Sequence, residues 1–308
     1  MTTMNTPIAA SRVPQANTPQ AGRPGLLRAL RPALQWRLLL LWLLALLLPT
    51  LAAALPVWRM LAAAFDRSVH APALARTLDL VAISDVIGLH GQHASALASS
   101  GLVALAMTLL LSPLLTGAAI TAARAPARLG LAALAAGGVH EYGRLLRMLL
   151  WAVVPLGLAA CLGAVAVGAA DEHAAGAVLE SSAGNAQLAA AIVTGVGVLL
   201  AHATLDAGRA VLALDRRRKS AVLAWRDGLV LLARRPLAML GFYAAVTALG
   251  LALAGALAVA RLNLPALGAG SFLGGLLLAQ LAVLALAWMR CARLFGLMEL
   301  ARGRRSLT

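Results

Sequence analysis

The chain is short of charge, and shorter still of acid. Of its 308 residues only 12% are charged, and 11 acidic side chains face 26 basic ones. A water-soluble domain carries about a quarter charged residues and is about half apolar. The shortage, with 61% hydrophobic residues and a mean hydropathy of +0.86, excludes an ordinary soluble fold. Cysteine is scarce too: Cys161 and Cys291 stand in or beside apolar stretches, so neither a stabilising disulfide nor a zinc motif is expected. The motifs of common enzymes are missing: no GxSxG, no Walker loop, no HExxH and no Cys–His pair. "GAGSFLG" is no nucleotide loop, because it follows no strand and leads into an apolar run.

What is present is long apolar runs. Crossing hydrocarbon as a helix takes about 20 mostly apolar residues. Six stretches qualify, at 38–57, 100–122, 148–170, 187–208, 237–260 and 270–291. Lipid-exposed backbone must satisfy its own hydrogen bonds, so these are helices. The expected fold is all-α: a polytopic bundle of six transmembrane helices over 26–308, behind a polar, disordered tail at 1–25. A cleaved signal peptide is not expected, since the polar lead is long and the first apolar run spans by itself. Pro49, Pro113 and Pro155 fall inside spans and should kink them.

The net charge of +15 would suggest nucleic acid in a soluble protein. Here 22 of the 26 cations fall in loops on one side of the predicted bundle, and only Arg59, Arg67, Arg76 and Arg261 on the other. That asymmetry is an orientation signal, so nucleic acid is not an expected partner. It puts both termini in the cytoplasm, with the bacterial inner membrane as the expected location. Residues 123–146 and 215–235 alternate basic turns with apolar faces and predict amphipathic helices in the membrane interface, their arginines reaching toward phosphates. A further short amphipathic helix is expected within 66–98.

An internal repeat accompanies the pattern. Gly117, Arg128, Gly137 and Arg144 recur 91 residues later as Gly208, Lys219, Gly228 and Arg235. A looser third copy begins at "RCARLFGLMELARGRR", where Arg293 and Glu299 keep the spacing of Arg209 and Asp215. The segment "DAGRAVLALDRRRKSAVLAWRDGLVLLARRPL" and the "HEYGRLLRMLL" that leads into span three resemble a broad group of bacterial six-helix integral membrane proteins. That group includes the membrane domain fused to some glycerophosphodiester phosphodiesterases. The resemblance implies a fold and a membrane location. It does not imply the hydrolytic activity, because nothing here resembles the catalytic barrel of those enzymes.

Candidate chemistry is sparse. His202, Asp206 and Arg209 fall at i, i+4 and i+7 on one face of span four, where charge is costly and hints at a role. The expected role is a latch that ties span four to the helix after it; a proton or anion relay is the alternative. Asp215 is expected to cap that following helix. His90, His93 and Asp85 are weak candidates for a metal site, and Asp79 lies just upstream of them. Arg216, Arg217, Arg218 and Lys219 are candidates for contact with anionic phospholipid headgroups. Gly270 and Gly274 form a GxxxG expected to pack within the chain, while Gly195 and Gly197 soften span four.

Spans two, three and five offer little polarity beyond Thr108, Ser112, Thr116, Tyr243 and Thr247, which counts against a pump or a membrane enzyme. The expected function is therefore non-enzymatic and cofactor-free. It is a scaffold or accessory subunit that meets other membrane proteins or anionic lipid through a basic cytoplasmic face. The first alternative is a permease-like subunit for an apolar or amphipathic solute, which a polar cavity among spans two, four and six would favour. The second is an enzyme acting on lipid headgroups.

Overall fold

The computed structural model describes residues 32–65, 88, 91, 93–177, 179–264 and 268–305. Its helices are α1 (Trp36–Phe65), α2 (Ala94–Arg124), α3 (Leu131–Trp151), α4 (Val153–Gly176), α5 (Glu180–Leu214), α6 (Ala221–Arg234), α7 (Pro236–Leu262) and α8 (Ala269–Arg305). No strand occurs among the described residues, so the fold is all-α. Six helical stretches are long and apolar enough to cross a membrane, and each contains one of the predicted spans. The proposed tail at 1–25, most of the 66–98 segment, and Asp79, Asp85 and His90 lie outside the described residues.

Three antiparallel hairpins make the bundle: α1 with α2, α4 with α5, and α7 with α8. Helix α8 also packs on α5 and α1, which joins the hairpins. The predicted amphipathic segments appear as α3 and α6, each folded back against the helix before it. Proline marks where each gives way to the next span. Pro155 sits just inside α4, and Pro236 opens α7 at a position where its missing N–H costs nothing. Pro155 therefore accompanies a helix break rather than a kink, whereas Pro49, Pro56 and Pro113 lie inside continuous helices.

The repeat is visible as geometry, but its register differs by one residue from the sequence match. Arg124 and Leu214 close the two spans, Gly130 and Ser220 are the N-caps that follow, and Leu131 and Ala221 begin the returning helices. All three pairs are 90 residues apart, not 91. Glycine matches alone misled because the surrounding Ala/Leu composition fits either register. The third copy does not turn at Glu299 as the second does at Asp215: α8 runs on unbroken, and Glu299 accepts from Arg302 Nη1 at 2.5 Å.

Close approach at these folds requires glycine. A Cβ on Gly228 would lie 2.6 Å from the backbone nitrogen of Gly208, and one on Gly138 would lie 2.6 Å from the carbonyl oxygen of Leu114. Small residues there let two helix backbones touch. The predicted GxxxG behaves otherwise. A Cβ on Gly270 would meet nothing and one on Gly274 only Leu264, so that pair brings no two helices together here.

The folds are then locked by Glu141, buried in α3. Its carboxylate accepts from Arg124 Nη1 at 2.6 Å and Arg144 Nη1 at 2.7 Å. Both arginines reach on to the end of α5: Arg124 Nε donates to the Ala213 carbonyl at 2.7 Å, and Arg144 Nη2 to those of Leu212 at 2.9 Å and Asp215 at 2.5 Å. The last carbonyls of a helix have no partner inside it and carry partial negative charge, which these guanidinium groups satisfy. Gln35 and Arg37 bind the Leu129 carbonyl, tying the start of α1 to the same end.

Asp215 is not the cap of α6. It closes α5, and its Oδ1 accepts from the Arg217 backbone; Ser220 caps α6 by accepting from Leu223 N at 3.4 Å. The reason is the six-residue turn, which leaves Asp215 too far back to reach the first amides of α6.

Burial is concentrated at this basic end. The core draws on Leu38 and Trp42 of α1, Leu115 and Ile120 of α2, Leu134 of α3, Tyr243 of α7, and Phe295, Leu297 and Met298 of α8. Large apolar side chains elsewhere stay exposed, among them Leu158, Val165 and Phe272, each more than 65% accessible. An exterior of that kind suits lipid and not water. Both cysteines are free thiols, one exposed on α4 and one buried on α8.

Three substitutions test this arrangement. Gly228→Val should destabilise the protein by about 3 kcal/mol or more, because backbone cannot yield to the new branches. Gly143→Val, at a position with open space around it, should be neutral. Glu141→Gln leaves two half-buried arginines short of their carboxylate and should cost about 3–5 kcal/mol. Reversible denaturation in mixed micelles measures all three.

Candidate functional site

Asp206 is buried in α5, and three side chains from three helices converge on it. Arg209 Nη1 donates to Oδ1 at 2.7 Å, one turn along the same helix. From α7, the Tyr243 hydroxyl donates to Oδ2 at 3.2 Å. From α8, Arg293 brings its Nε to 3.9 Å from Oδ2. Arg293 also donates from Nη1 to the Tyr243 hydroxyl at 3.0 Å and to Thr247 Oγ1 at 3.3 Å, and its guanidinium carbon lies 4.7 Å from the centre of the tyrosine ring. Thr247 in turn donates to the Tyr243 carbonyl at 2.6 Å. A carboxylate among apolar helices survives only with this much compensation.

The predicted latch to the returning helix is not made by Asp206. Asp206 ties α5 to α7 and α8, not to the returning helix α6. That second join is made by Trp225, whose indole N–H donates to Thr204 Oγ1 at 3.2 Å, and by the contact between Gly208 and Gly228. The difference follows from helical geometry: Asp206 faces the bundle interior, while Thr204 and Gly208 lie on the side turned to α6.

Beside Asp206 opens a cavity of about 430 Å³. His202, Asp206 and Arg209, the trio placed on one face of span four, all line it. So do Thr108, Ser112, Thr116, Tyr243 and Thr247, the few polar groups of spans two and five. They look sparse along the sequence, but the bundle brings them to one place. Arg290 and Arg293 join from α8, and neither was singled out for chemistry by the sequence. Their signal was present: two arginines three residues apart after an apolar run share a helix face.

The lining is graded. Arg209, Arg293, Asp206, Tyr243 and Thr116 sit toward the basic end. Leu109, Leu156, Gly195, Val198 and Leu251, with the hydroxyl of Thr108 among them, line the part further along their helices, where exposed Leu109, Val198 and Leu251 open the cavity to the outside of the bundle. A Cβ on Gly195 would meet nothing within 4 Å, so that glycine leaves room inside the cavity.

The remaining candidates are dispersed. Of the headgroup quartet, Arg216, Arg217 and Lys219 are exposed, but Arg218 is half-buried and bound to Asp227 Oδ2. The hydrogen bond from Arg218 holds the Asp227 carboxyl below its usual range. His93 precedes α2, and no group of three metal-ligating side chains occurs among the described residues. Comparison of the chain with protein-family models, with curated proteins and with solved structures gave no match.

Proposed function

We propose that the protein is a multi-pass membrane protein that binds an amphipathic solute within its bundle, as a permease or an accessory binding subunit. The observation that carries this reading is the cavity. It gathers side chains from all six spans, holds its charged groups toward the basic end with a mostly apolar lining away from them, and lies within the size range of ligand sites, about 300–1,000 Å³. A latch needs no cavity beside it, and a well-packed core leaves none. No cofactor and no catalytic step enter this reading.

A second reading rests on the exposed cations. Arg216, Arg217 and Lys219, with Arg128, Arg147 and Arg226, form a basic face suited to anionic headgroups or to a partner subunit. The same charges support the positive-inside arrangement, in which the basic end and both termini lie in the cytoplasm of a bacterial inner membrane. The two readings are compatible, one describing the interior and the other the surface.

Topology is checked with reporter tags inserted at residues 80 and 220, which should report opposite compartments; the same compartment for both would refute the arrangement. The cavity is checked by photolabelling in nanodiscs with dodecanoate and dodecanol, each carrying a diazirine at the chain end. Labels should fall on the less exposed lining, at Leu156, Leu199 and Leu205. Gly195→Leu should abolish them with little change in thermal stability. Labels confined to outward-facing leucines and insensitive to that substitution would refute the reading.

A further inference from the structure

The charges around the cavity do not cancel. Three arginines, Arg209, Arg290 and Arg293, face one carboxylate, Asp206, and His202 adds no acid to the balance. Arg209 is matched to Asp206 at 2.7 Å. Arg293 is only partly matched: its Nε is 3.9 Å from Asp206 and buried with no hydrogen-bond acceptor, and its Nη1 is spent on two neutral hydroxyls. Arg290 has no carboxylate within ion-pairing distance among the described residues, and it stays exposed at the cavity. Cations therefore outnumber carboxylates three to one along the cavity wall.

Tying α5 to α7 and α8 does not require this many cations. One arginine balances one aspartate, and each additional cation in a poorly hydrated site costs free energy unless something compensates it. The missing partner is an acceptor-rich anion. We infer that the solute is a single-chain amphiphile with an anionic oxy-acid head, a carboxylate or a phosphate monoester, seated between Arg290 and Arg293. This deepens the proposed function and rests on it.

The placement is specific. Arg290 and Arg293 are three residues apart on α8, so their side chains project from the same face. Planar guanidinium groups bind carboxylate and phosphate oxygens through paired N–H donors. Ser112 offers a hydroxyl across the cavity on α2, while that of Thr116 is already donated to the Ser112 carbonyl. From that end the chain would run toward Gly195, Val198, Leu156 and Leu251, where the lining turns apolar. The volume of about 430 Å³ suits one chain with its head.

The test repeats the photolabelling in nanodiscs of neutral lipid with four dodecyl probes that differ only in the head: carboxylate, phosphate, alcohol and amine. Both anions should label the less exposed lining about tenfold more efficiently than the alcohol, the discrimination a charged hydrogen bond gives, and the amine least. Arg290→Gln removes an exposed side chain with no carboxylate partner, so the fold should persist while the preference for anions falls about tenfold. Arg293→Lys keeps the charge opposite Asp206, loses the fork, and should weaken the carboxylate and phosphate probes alike. Inorganic phosphate, which has no chain, should not compete.

Equal labelling by alcohol and anions, unchanged in Arg290→Gln, would overturn the anionic head and leave the cavity reading standing. Effective competition by inorganic phosphate would overturn the amphiphile in favour of a free anion. Absence of labelling on that lining by every probe would remove the cavity reading itself.

Discussion

A charged carboxylate inside a bundle of apolar helices has to be answered by cations and hydroxyls, and that demand organises this molecule. Among the described residues only Glu141 and Asp206 are buried acids. Each recruits partners from more than its own helix. Glu141 and its two arginines hold the turn after α2 against the turn after α5. Asp206 holds α5, α7 and α8 together. Between solvent-exposed side chains such pairs contribute little. Where water is scarce they are costly to break, and so they fix which helices are neighbours.

The two clusters lie toward the same end, and so does the tight packing. Alanine and glycine dominate where α2 and α5 meet the folded-back helices and where α8 packs on α5 and α1: Ala118, Ala119, Ala203, Ala207, Ala210, Ala213, Ala287 and Ala292 are all buried. Without water to expel, helices in lipid are held by close van der Waals contact and by polar links, and small residues allow both. Toward the other ends of the hairpins the side chains are larger and more exposed, as Leu102, Leu188 and Phe272 show. Stability is thus drawn toward the basic end, beside which the cavity lies.

What the sequence made legible follows from what is local. Apolar runs announce spans, glycine and basic turns announce the fold-back, and a helix period places His202, Asp206 and Arg209 on one face. All of these appear in the structure. What it hid is non-local. Tyr243 lies 37 residues from Asp206, and no helical periodicity links them. Glu141 reads as one more acid in "HEYGRLL", because its meaning depends on Arg124 across a turn and on carbonyls at the end of another helix. Ser112, Thr116 and Thr247 look like isolated hydroxyls until three helices bring them to one cavity. The repeat register was lost by one residue for a related reason: alanine and leucine fit either alignment, and only the helix ends distinguish them.

The comparison between the two acids carries the functional argument furthest. Both sit among arginines, so composition alone cannot separate a structural cluster from a working one. Around Glu141 the carboxylate takes both Nη1 groups, and the Nε of Arg124 and the Nε and Nη2 of Arg144 go to backbone carbonyls of Ala213, Leu212, Asp215 and Arg218. That network is closed: its cations are answered by the acid and by the helix end, which is where arginine stabilises most. Around Asp206 the same chemistry is left open. Arg293 keeps a buried N–H without an acceptor, Arg290 keeps its charge without an acid, and a cavity adjoins both. A fold able to satisfy the first cluster so fully had the means to satisfy the second, with one more acid or one fewer arginine. The surplus of positive charge at the cavity is thus what separates the two clusters, and it is the feature on which the proposed anion rests.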